Sequence, residues 1–237
     1  MTRPVDTRDR PTDLRTRDVE LRELMDDPDC DPVRLARTLD RFDVVNRLIS
    51  GWGTVYRREL RPHLRGRRTR VLDLGCGGGD LVRRLSALAR RDGLDVEWVG
   101  ADPDPRAIDA ASRDIPAGVS FVCADAAALA AAGEAFDAVV SNHVLHHLDD
   151  VATFTEESRA LSRGPVLHAD IERGRAAYGL YAVGILPLAP GTFLRTDGLR
   201  SIRRSYRADE LGAALAPGWT VTRPAPFRLL ARGQGRA

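Results

Sequence analysis

The segment VLDLGCGGGD, residues 71–80, constrains the fold of this chain more than any other part of its sequence. A short strand pattern at residues 71–74 runs into a turn that is almost entirely glycine, and a helical pattern follows at once. Glycines permit positive φ values and let the backbone approach a ligand closely. A strand, a glycine turn and a helix in this order predict the first unit of an open α/β sheet, with a ligand site at the turn.

The same alternation of strand and helix continues along the chain. The predicted strands lie at residues 70–74, 96–101, 119–124, 136–141 and 165–170, and the predicted helices at 80–91, 105–113, 126–132 and 150–162. A further helix at 208–215 precedes two terminal strands at 219–223 and 227–232. This alternation indicates a doubly wound, parallel sheet with helices on both faces. The sequence therefore predicts a seven-stranded α/β domain over residues 66–237.

The residues before this domain divide into two parts. Residues 1–30 contain six arginines and nine acidic residues, which predicts a polar, partly disordered arm with at most a short helix near residues 19–25. A partner-binding tail is the alternative interpretation of this arm. From Asp31, a suitable N-cap, apolar residues recur at spacings of three and four, so residues 31–65 are expected to form a helical cap.

Two aromatic residues of the cap, Trp52 and Tyr56, have two interpretations. They either pack on the core or form the roof of a substrate pocket, and large aromatic residues are more often packing residues. Gly51 and Gly53 are expected to bend or break the helix beside them.

Acidic residues indicate which ligand the glycine turn binds. Asp73 lies inside the strand, and Asp80 occupies the position at which a dinucleotide-binding turn requires glycine. An acid beside the turn disfavours a pyrophosphate and favours a cationic ligand such as S-adenosylmethionine, which carries an ammonium and a sulfonium group. Asp102 ends the second predicted strand, where a carboxylate can bind both ribose hydroxyls, and Asp125 ends the third, where it could accept the adenine amino group. Each acid alone is as compatible with a helix N-cap, but together they indicate one ligand site.

Four segments, VLDLGCGGGD, VGADPDP, VCADAAAL and FDAVVSNHVLHHL, resemble the class I S-adenosylmethionine-dependent methyltransferases in order and spacing. The similarity is greatest to the small-molecule branch that includes the ubiquinone and menaquinone methyltransferases. The resemblance implies a Rossmann-like, mostly parallel sheet with an antiparallel final strand, S-adenosyl-L-methionine as methyl donor and S-adenosyl-L-homocysteine as product. The cofactor-binding residues expected on this basis are Asp73, Gly75, Cys76, Gly77, Asp102, Pro103, Asp125, Ala126 and Asn142.

Two observations disfavour a nucleic-acid substrate. The fourth segment continues as Ser141-Asn142-His143-Val144 and lacks the prolines that amino-methylating enzymes of nucleic-acid bases carry after this strand. The net charge is only +2, because 36 basic residues, all of them arginine, are interleaved with 34 acids. A nucleic-acid binder usually concentrates its positive charge on one face.

Cysteine usage and the first residues bear on the compartment. Cys30, Cys76 and Cys123 have unrelated spacings, so we expect reduced thiols, with neither a disulfide framework nor a metal site. The chain is charged from its third residue and shows no apolar leader segment. A cytoplasmic location is therefore expected.

Three histidines, His143, His146 and His147, follow the fourth predicted strand. Histidine can accept a proton from a phenol near neutral pH, so His143 and His146 are the candidate catalytic bases. In the alternative interpretation they only shape the loop, because methyl transfer from a sulfonium can proceed by alignment of the reacting atoms alone. His168 and Asp170, at the end of the fifth strand, form a second candidate pair.

The residues after the fifth strand, 172–207, form an insertion that begins with an uncharged stretch at 176–194. Prolines and glycines interrupt this stretch, which leaves it short of the ~20 residues that a membrane span needs. We expect a lid over the site, with a dimer interface as the alternative. Arg200, Arg203, Arg204 and Arg207 follow, either as an anion- or membrane-binding group or as a solvated helix face. The expected substrate-binding residues are Trp52, Tyr56, His143, Tyr178 and Tyr181.

Together these features predict an S-adenosylmethionine-dependent methyltransferase of secondary metabolism that acts on a hydrophobic small molecule. O-methylation of a phenolic, polyketide-type or quinone-type acceptor is the leading hypothesis. C-methylation of a similar ring and a noncatalytic protein that binds an adenosyl ligand stay open. The expected protein is a monomer or homodimer without a membrane span, and peripheral membrane contact is compatible with its arginine cluster.

Overall fold

A computed structural model of the protein describes residues 13–237. The strands are β1 (Thr69–Leu74), β2 (Val96–Asp102), β3 (Val119–Cys123), β4 (Ala138–Asn142), β5 (Pro165–Ile171), β6 (Thr220–Thr222) and β7 (Arg228–Gln234). The α-helices are α1 (Pro32–Ile49), α2 (Trp52–Val55), α3 (Asp80–Arg91), α4 (Pro105–Ala111), α5 (Ala126–Ala131), α6 (Val151–Ala160), α7 (Arg175–Gly184), α8 (Leu194–Arg204) and α9 (Ala208–Ala214). All seven predicted strands are present.

The strands form one sheet in the order β3-β2-β1-β4-β5-β7-β6. Strands β1 to β5 are parallel to one another, whereas β7 is antiparallel to both β5 and β6. The predicted doubly wound, mostly parallel α/β sheet with an antiparallel final strand is confirmed. Because the chain leaves β1 toward β2 and β3 and later returns to β4, the order reverses beside β1, where open α/β sheets bind their ligands.

The two faces of the sheet are buried by different helices. Val71 and Trp98 point into a core that also contains Leu85 of α3, whereas Leu72 and Val99 face the opposite core with Leu129 of α5. Strands buried on both faces read as continuous apolar runs. This burial explains why β1 and β4 are nearly uniformly apolar and why the polar Asp73 is an exception.

The N-terminal cap consists of two helical segments that meet at Gly51. The side chain of Asp31 accepts hydrogen bonds from the first turn of α1, as predicted. Gly51 has a φ of 73°, and the chain turns there into α2. This turn directs Trp52 and Tyr56 into the core on the α3 side, where both are fully buried. The hypothesis that these two residues roof a substrate pocket is therefore wrong, because the turn gives them a different face from α1.

Residues 13–30 form turns and extended chain without a helix, so the short helix predicted near residues 19–25 is absent; the first twelve residues of the predicted arm lie outside the described part. This segment lies on the insertion. Arg203 of α8 forms an ion pair with Asp18 at 2.6 Å, and Arg200 donates to the backbone carbonyl of Arg22 at 2.6 Å. The arginine cluster that suggested an anion or membrane site thus holds the N-terminal segment.

The insertion contains α7, a 3-10 turn at Leu186–Leu188 and α8. Leu180 and Val183 of α7 are 64% and 69% exposed, whereas Ile185 packs against Val45 of α1. No helix within residues 13–237 is both long and apolar enough to cross a membrane.

Candidate active site

A cavity of about 680 Å³ opens at the carboxyl ends of β1, β2 and β4. Its walls come from the glycine loop after β1, the loop after β4, one face of α1, the N-terminal segment and the end of α8. The residues that line it include Glu23, Met25, Asp26, Leu35, Leu39, Phe42, Asn46, Asp73, Gly75, Cys76, Gly77, Asp80, Asp102, Pro103, Asn142, His143, Val144, His146, His147, Ser201 and Arg204.

The glycine loop is shaped by backbone conformations and close approaches that other residues would disturb. Gly75 has a φ of 70°, and a Cβ atom there would lie 2.5 Å from the Cγ2 atom of Val144. Gly77 has a φ of 52° and donates its N–H to an Asp102 carboxylate oxygen at 2.9 Å. The loop therefore packs directly on the ends of both neighbouring strands.

Asp73 is the most unusual charge in the cavity wall. Its side chain is 1% exposed, and neither carboxylate oxygen has a hydrogen-bond partner among residues 13–237. Burial, with the nearby charges of Asp80 and Asp102, raises its pKa well above the ordinary value. An unpaired buried carboxylate is costly, so the site is suited to a ligand that brings a positive group.

Asp102 has a carboxylate that is already oriented by the protein. Its two oxygens accept the N–H groups of Gly77 and Asp104, each at 2.9 Å. Burial is the main cause that raises the pKa of Asp102. Lone pairs on both oxygens are left for further donors, such as a pair of ribose hydroxyls.

Asp125 and Ala126, at the end of β3, lie outside the lining of this cavity. Asp125 accepts the N–H of Ala128 at 2.8 Å and so caps α5. The cap uses one of its carboxylate oxygens, and an adenine contact through the other stays a prediction.

The loop after β4 places Asn142 and His143 in the cavity wall beside a buried arginine. Arg228 of β7 donates from Nη2 to the Asn142 side-chain oxygen at 2.7 Å and from Nη1 to Nε2 of His143 at 3.0 Å. Burial, together with the Arg228 charge, holds the pKa of His143 well below its ordinary value. His143 is therefore neutral near pH 7.

His146 is enclosed by carboxylates. Its Nδ1 atom lies 2.7 Å from an Asp170 oxygen, and its Nε2 atom lies 3.2 Å from a Glu23 oxygen. Burial opposes the charged imidazole, but both carboxylates outweigh it and raise the pKa of His146 to about 9. Both ring nitrogens of His146 are thus occupied by carboxylates, an arrangement that favours the protonated ring over a catalytic base.

Glu23, His146 and His147 bring one oxygen and two ring nitrogens to within 4.8 Å of one another. Such a set could ligate a zinc ion, which the sequence analysis did not anticipate. Hydrogen bonds among protein groups already account for the arrangement, since Ser201 also donates to Glu23 and Asp26 lies 3.3 Å from Nδ1 of His147. The cluster joins the N-terminal segment, the β4 loop and α8 at the cavity wall.

His168 does not belong to the cavity. It is buried between Trp219 and Phe154, and its Nδ1 atom lies 2.7 Å from the Ser141 hydroxyl. Burial lowers its pKa to about 3. Asp170, which the sequence analysis paired with it, contacts His146 instead.

Known proteins share this fold and its sequence motifs. Residues 71–164 match the family described as a methyltransferase domain. The ubiquinone biosynthesis O-methyltransferase of Brucella anthropi is 33% identical over 157 residues, which cover 63% of this chain and 58% of the relative. The corresponding enzyme of Cereibacter sphaeroides is 30% identical over 149 residues, 61% and 57% of the two chains. The chain thus spans less than two thirds of these relatives.

Solved structures agree at the level of the fold. The plantazolicin methyltransferase BpumL, in complex with a monoazolic desmethylPZN analog and SAH, superposes with a TM-score of 0.65 at 13% identity, over 92% of this chain and 96% of BpumL. The CurJ carbon methyltransferase gives a TM-score of 0.60 at 15% identity, over 87% and 61% of the two chains. Residues 71–164 are thus similar to a methyltransferase domain in sequence, and the chain shares the fold of solved methyltransferases. The resemblance inferred from the four sequence segments is therefore confirmed.

Seven of the nine predicted cofactor residues line a single cavity: Asp73, Gly75, Cys76, Gly77, Asp102, Pro103 and Asn142. The predicted aromatic substrate residues are elsewhere. Tyr181 is held inside the insertion, where its hydroxyl donates to the Leu194 carbonyl at 2.8 Å, and Tyr178 packs against Leu14 and Ile202. Neither tyrosine lines the cavity, because the apolar side of α7 packs on its own neighbours or faces outward, and their assignment to the substrate stays a prediction.

The sequence analysis missed two sources of the cavity lining. One face of α1 contributes Leu35, Leu39 and Phe42, and the N-terminal segment contributes Glu23 and Met25. The helical stripe of α1 was recognised, but its pattern alone does not separate a cavity wall from the core. In the N-terminal segment, a few apolar residues within the charged sequence indicated packing. The high overall charge of residues 1–30 instead predicted a disordered arm.

Proposed function

We propose that this methyltransferase transfers a methyl group from S-adenosylmethionine to an oxygen of a hydrophobic small molecule of phenolic, polyketide or quinone type. The observation that carries the cofactor assignment is Asp73, a buried carboxylate without a protein partner at the wall of the cavity. The ammonium group of the cofactor would supply the missing positive charge. Asp102 would hold the ribose hydroxyls, and the backbone of Gly75 and Gly77 would approach the methionine end.

Apolar side chains support a hydrophobic acceptor. Leu35, Leu39 and Phe42 of α1 line the cavity together with Val144 of the β4 loop, and Leu39 lies beside Gly78 of the glycine loop. Such walls favour an apolar ring or chain, while the few polar groups of the β4 loop would orient its oxygen. The ubiquinone biosynthesis relatives, which are named as O-methyltransferases, support oxygen as the acceptor atom.

When bound, S-adenosylmethionine supplies an electrophilic methyl group on a sulfonium sulphur. The residues of this chain bind and orient the two reactants, which is sufficient for a large part of the rate enhancement in a displacement of this kind. The insertion and the N-terminal segment act as a lid, since Ser201, Arg204 and Glu23 reach the cavity wall. A covered site excludes water from the sulfonium.

The acceptor is tested by incubating the full chain with labelled S-adenosylmethionine and a panel of alkylresorcinols, hydroxyquinones and simple phenols. Mass spectrometry of the products would detect transfer, and fragmentation with NMR would locate the methyl group. We expect O-methylation of at least one hydrophobic member and none of a hydrophilic phenol of the same ring size. A methyl group on ring carbon would support the C-methylation alternative instead.

A noncatalytic role predicts a different result. Such a protein would bind S-adenosylhomocysteine in a calorimetric titration but would methylate no acceptor in the panel. The CurJ carbon methyltransferase shares only its fold with this chain, so the panel of acceptors decides between the two roles. We propose a monomer or homodimer that acts on no nucleic acid, and the cytoplasmic location stays a prediction from the sequence.

A further inference from the structure

We propose that Arg228 holds His143 as a neutral imidazole with its proton on Nδ1, and that the site therefore binds the acceptor as an oxyanion. The second half of this inference rests on the proposed O-methyl transfer, whereas the first half concerns the protein alone. Arg228 is a positioning residue in this account, and His143 is the group that contacts the acceptor.

The direction of one hydrogen bond fixes the tautomer. A guanidinium group only donates, so Nε2 of His143 must present its lone pair to Nη1 of Arg228, 3.0 Å away. The imidazole proton is then on Nδ1. Arg228 cannot easily turn away, because it is 2% exposed and its Nη2 atom is bound to Asn142.

The Nδ1–H group is available to a ligand. Within residues 13–237, the hydrogen bond of the His143 ring is the one to Arg228, and it uses Nε2. The ring itself lines the cavity. A donor that lacks a protein partner and borders the acceptor space is suited to an oxygen of the bound molecule.

Backbone geometry on both sides of the contact supports a functional arrangement. His143 has a φ of 63° and Phe227, the residue before Arg228, has a φ of 60°. Within residues 13–237 they are the two residues other than glycine with positive φ. Left-handed backbone is strained for residues other than glycine and persists where the surroundings impose it. His143 itself accepts the hydrogen bond, and Phe227 directly precedes its donor, Arg228.

The charges around His143 oppose a second proton on the ring. Arg228 faces it from β7, and His146 and His147 lie on its own loop, whereas Asp170 of β5 is an acid that favours its charged form. Asp170 is already paired with His146 at 2.7 Å. A second proton would sit on Nε2 and point at the Arg228 guanidinium. His143 is thus a donor and not the base that the sequence analysis favoured.

A donor that cannot accept a proton binds an acceptor oxygen most strongly when that oxygen is negative. The acceptor would therefore lose its O–H proton to water and bind as a phenolate or enolate. A lone pair of that oxygen then forms the bond to the methyl carbon, while the sulphur–carbon bond breaks and its electron pair stays on sulphur as the thioether of S-adenosylhomocysteine. The favoured class consists of hydroxyls conjugated to a carbonyl, which are acidic near neutral pH.

The tautomer is tested on the full chain labelled with ¹⁵N-histidine. Long-range ¹H–¹⁵N NMR spectra at pH 7, with the His143 signals identified by their loss in His143→Gln, should show a protonated Nδ1 and an unprotonated Nε2. In Arg228→Leu the signals should average between both tautomers, and Arg228→Lys should restore the wild-type pattern. Arg232→Leu, on the same strand but exposed and paired with Glu59, is the matched control and should change nothing.

A proton on Nε2 of His143 in the wild-type protein at pH 7 would overturn the proposal, and that measurement needs neither a variant nor turnover. The acceptor half is tested by kcat/KM against pH for phenols of different acidity. Its midpoint should follow the pKa of each phenol, and Arg228→Leu should lower kcat/KM on the order of tenfold. A midpoint that stays fixed for all phenols would indicate an enzyme base and contradict oxyanion binding. Absence of any turnover with an intact Nδ1–H tautomer would instead count against the proposed function.

Discussion

At the scale of single residues, Asp73 is the residue of the cavity wall whose charge most favours a cationic ligand. A carboxylate inside a buried strand has lost its hydration without gaining a partner from the described residues. Such a group destabilises the ligand-free protein and stabilises the complex with a cation. The same residue that weakens the apo fold would thereby select the cofactor.

We therefore expect Asp73→Asn to weaken binding of S-adenosylhomocysteine by about tenfold or more, since a charged hydrogen bond to its ammonium is lost. The ligand-free variant should be at least as stable as the wild type, because the buried charge is gone. Calorimetric titration and thermal unfolding would measure the two effects. Asp150→Asn, which keeps an N-cap on α6 outside the cavity lining, should leave both unchanged. Wild-type affinity in Asp73→Asn would contradict the assignment.

His146 carries a prediction about pH. Its folded-state pKa of about 9 lies above that of an unfolded histidine, so the folded protein binds the extra proton between about pH 6.5 and pH 9. The resulting stabilisation is complete below about pH 6.5 and is lost as the pH rises through about 9. The lowered pKa values of His143 and His168 have the opposite effect on stability, and they reduce it only as the pH falls below about 6.5.

We expect the free energy of unfolding to fall by at most ~3 kcal/mol between pH 6.5 and 9, at about 1.4 kcal/mol per unit. Urea denaturation at a series of pH values would measure this slope. It should largely disappear in His146→Gln and persist in His63→Gln, an exposed histidine of the Arg61–Leu64 turn. An equal slope in both variants would assign it to other groups.

At the scale of elements, the glycine loop matters through its approach to the β4 loop. Gly75→Ala should abolish measurable cofactor binding and destabilise the protein, because the new Cβ would lie 2.5 Å from Val144. Gly133→Ala is the matched control, since Gly133 has a similar φ of 71° and no neighbour within 4 Å. Thermal unfolding and titration of both variants separate backbone strain from the steric clash. If both variants lost the same amount of stability, backbone strain and not the contact with Val144 would explain the effect of Gly75→Ala.

The N-terminal segment is the second element with a testable role. Both oxygens of Asp197 in α8 accept backbone N–H groups of this segment, from Leu24 at 2.9 Å and Met25 at 3.0 Å. We expect Asp197→Ala to expose two unsatisfied amides and cost about 1–3 kcal/mol of local stability. Hydrogen exchange of residues 19–26 should accelerate, while that of β1 should not. Asp209→Ala, an exposed acid in the first turn of α9, should leave the segment protected.

At the scale of the whole molecule, one sheet brings together groups that are far apart in sequence. The parallel strands place Asp73, Asp102 and Asn142 at a single edge. The antiparallel insertion of β7 between β5 and β6 then brings Arg228 to His143, 85 positions away in the chain. The insertion at residues 172–207 places α8 over the same edge of the sheet, where α8 contacts the N-terminal segment.

The sequence alone determined the order of strands and helices, the glycine loop and the acids at the ends of the strands. These features follow from local periodicity and from the rule that parallel strands present their carboxyl ends to one edge. The family resemblance added the antiparallel final strand, which the local pattern does not contain.

Only the tertiary structure decided the faces and partners of individual side chains. A turn at Gly51 directs Trp52 into the core, and Glu23 and Arg228 reach the histidines of the β4 loop from distant parts of the chain. Those contacts determine that His146 is charged and His143 is neutral. The protonation state of a buried histidine depends on its burial and on charges within a few ångströms, and neither can be read from neighbouring letters of the sequence.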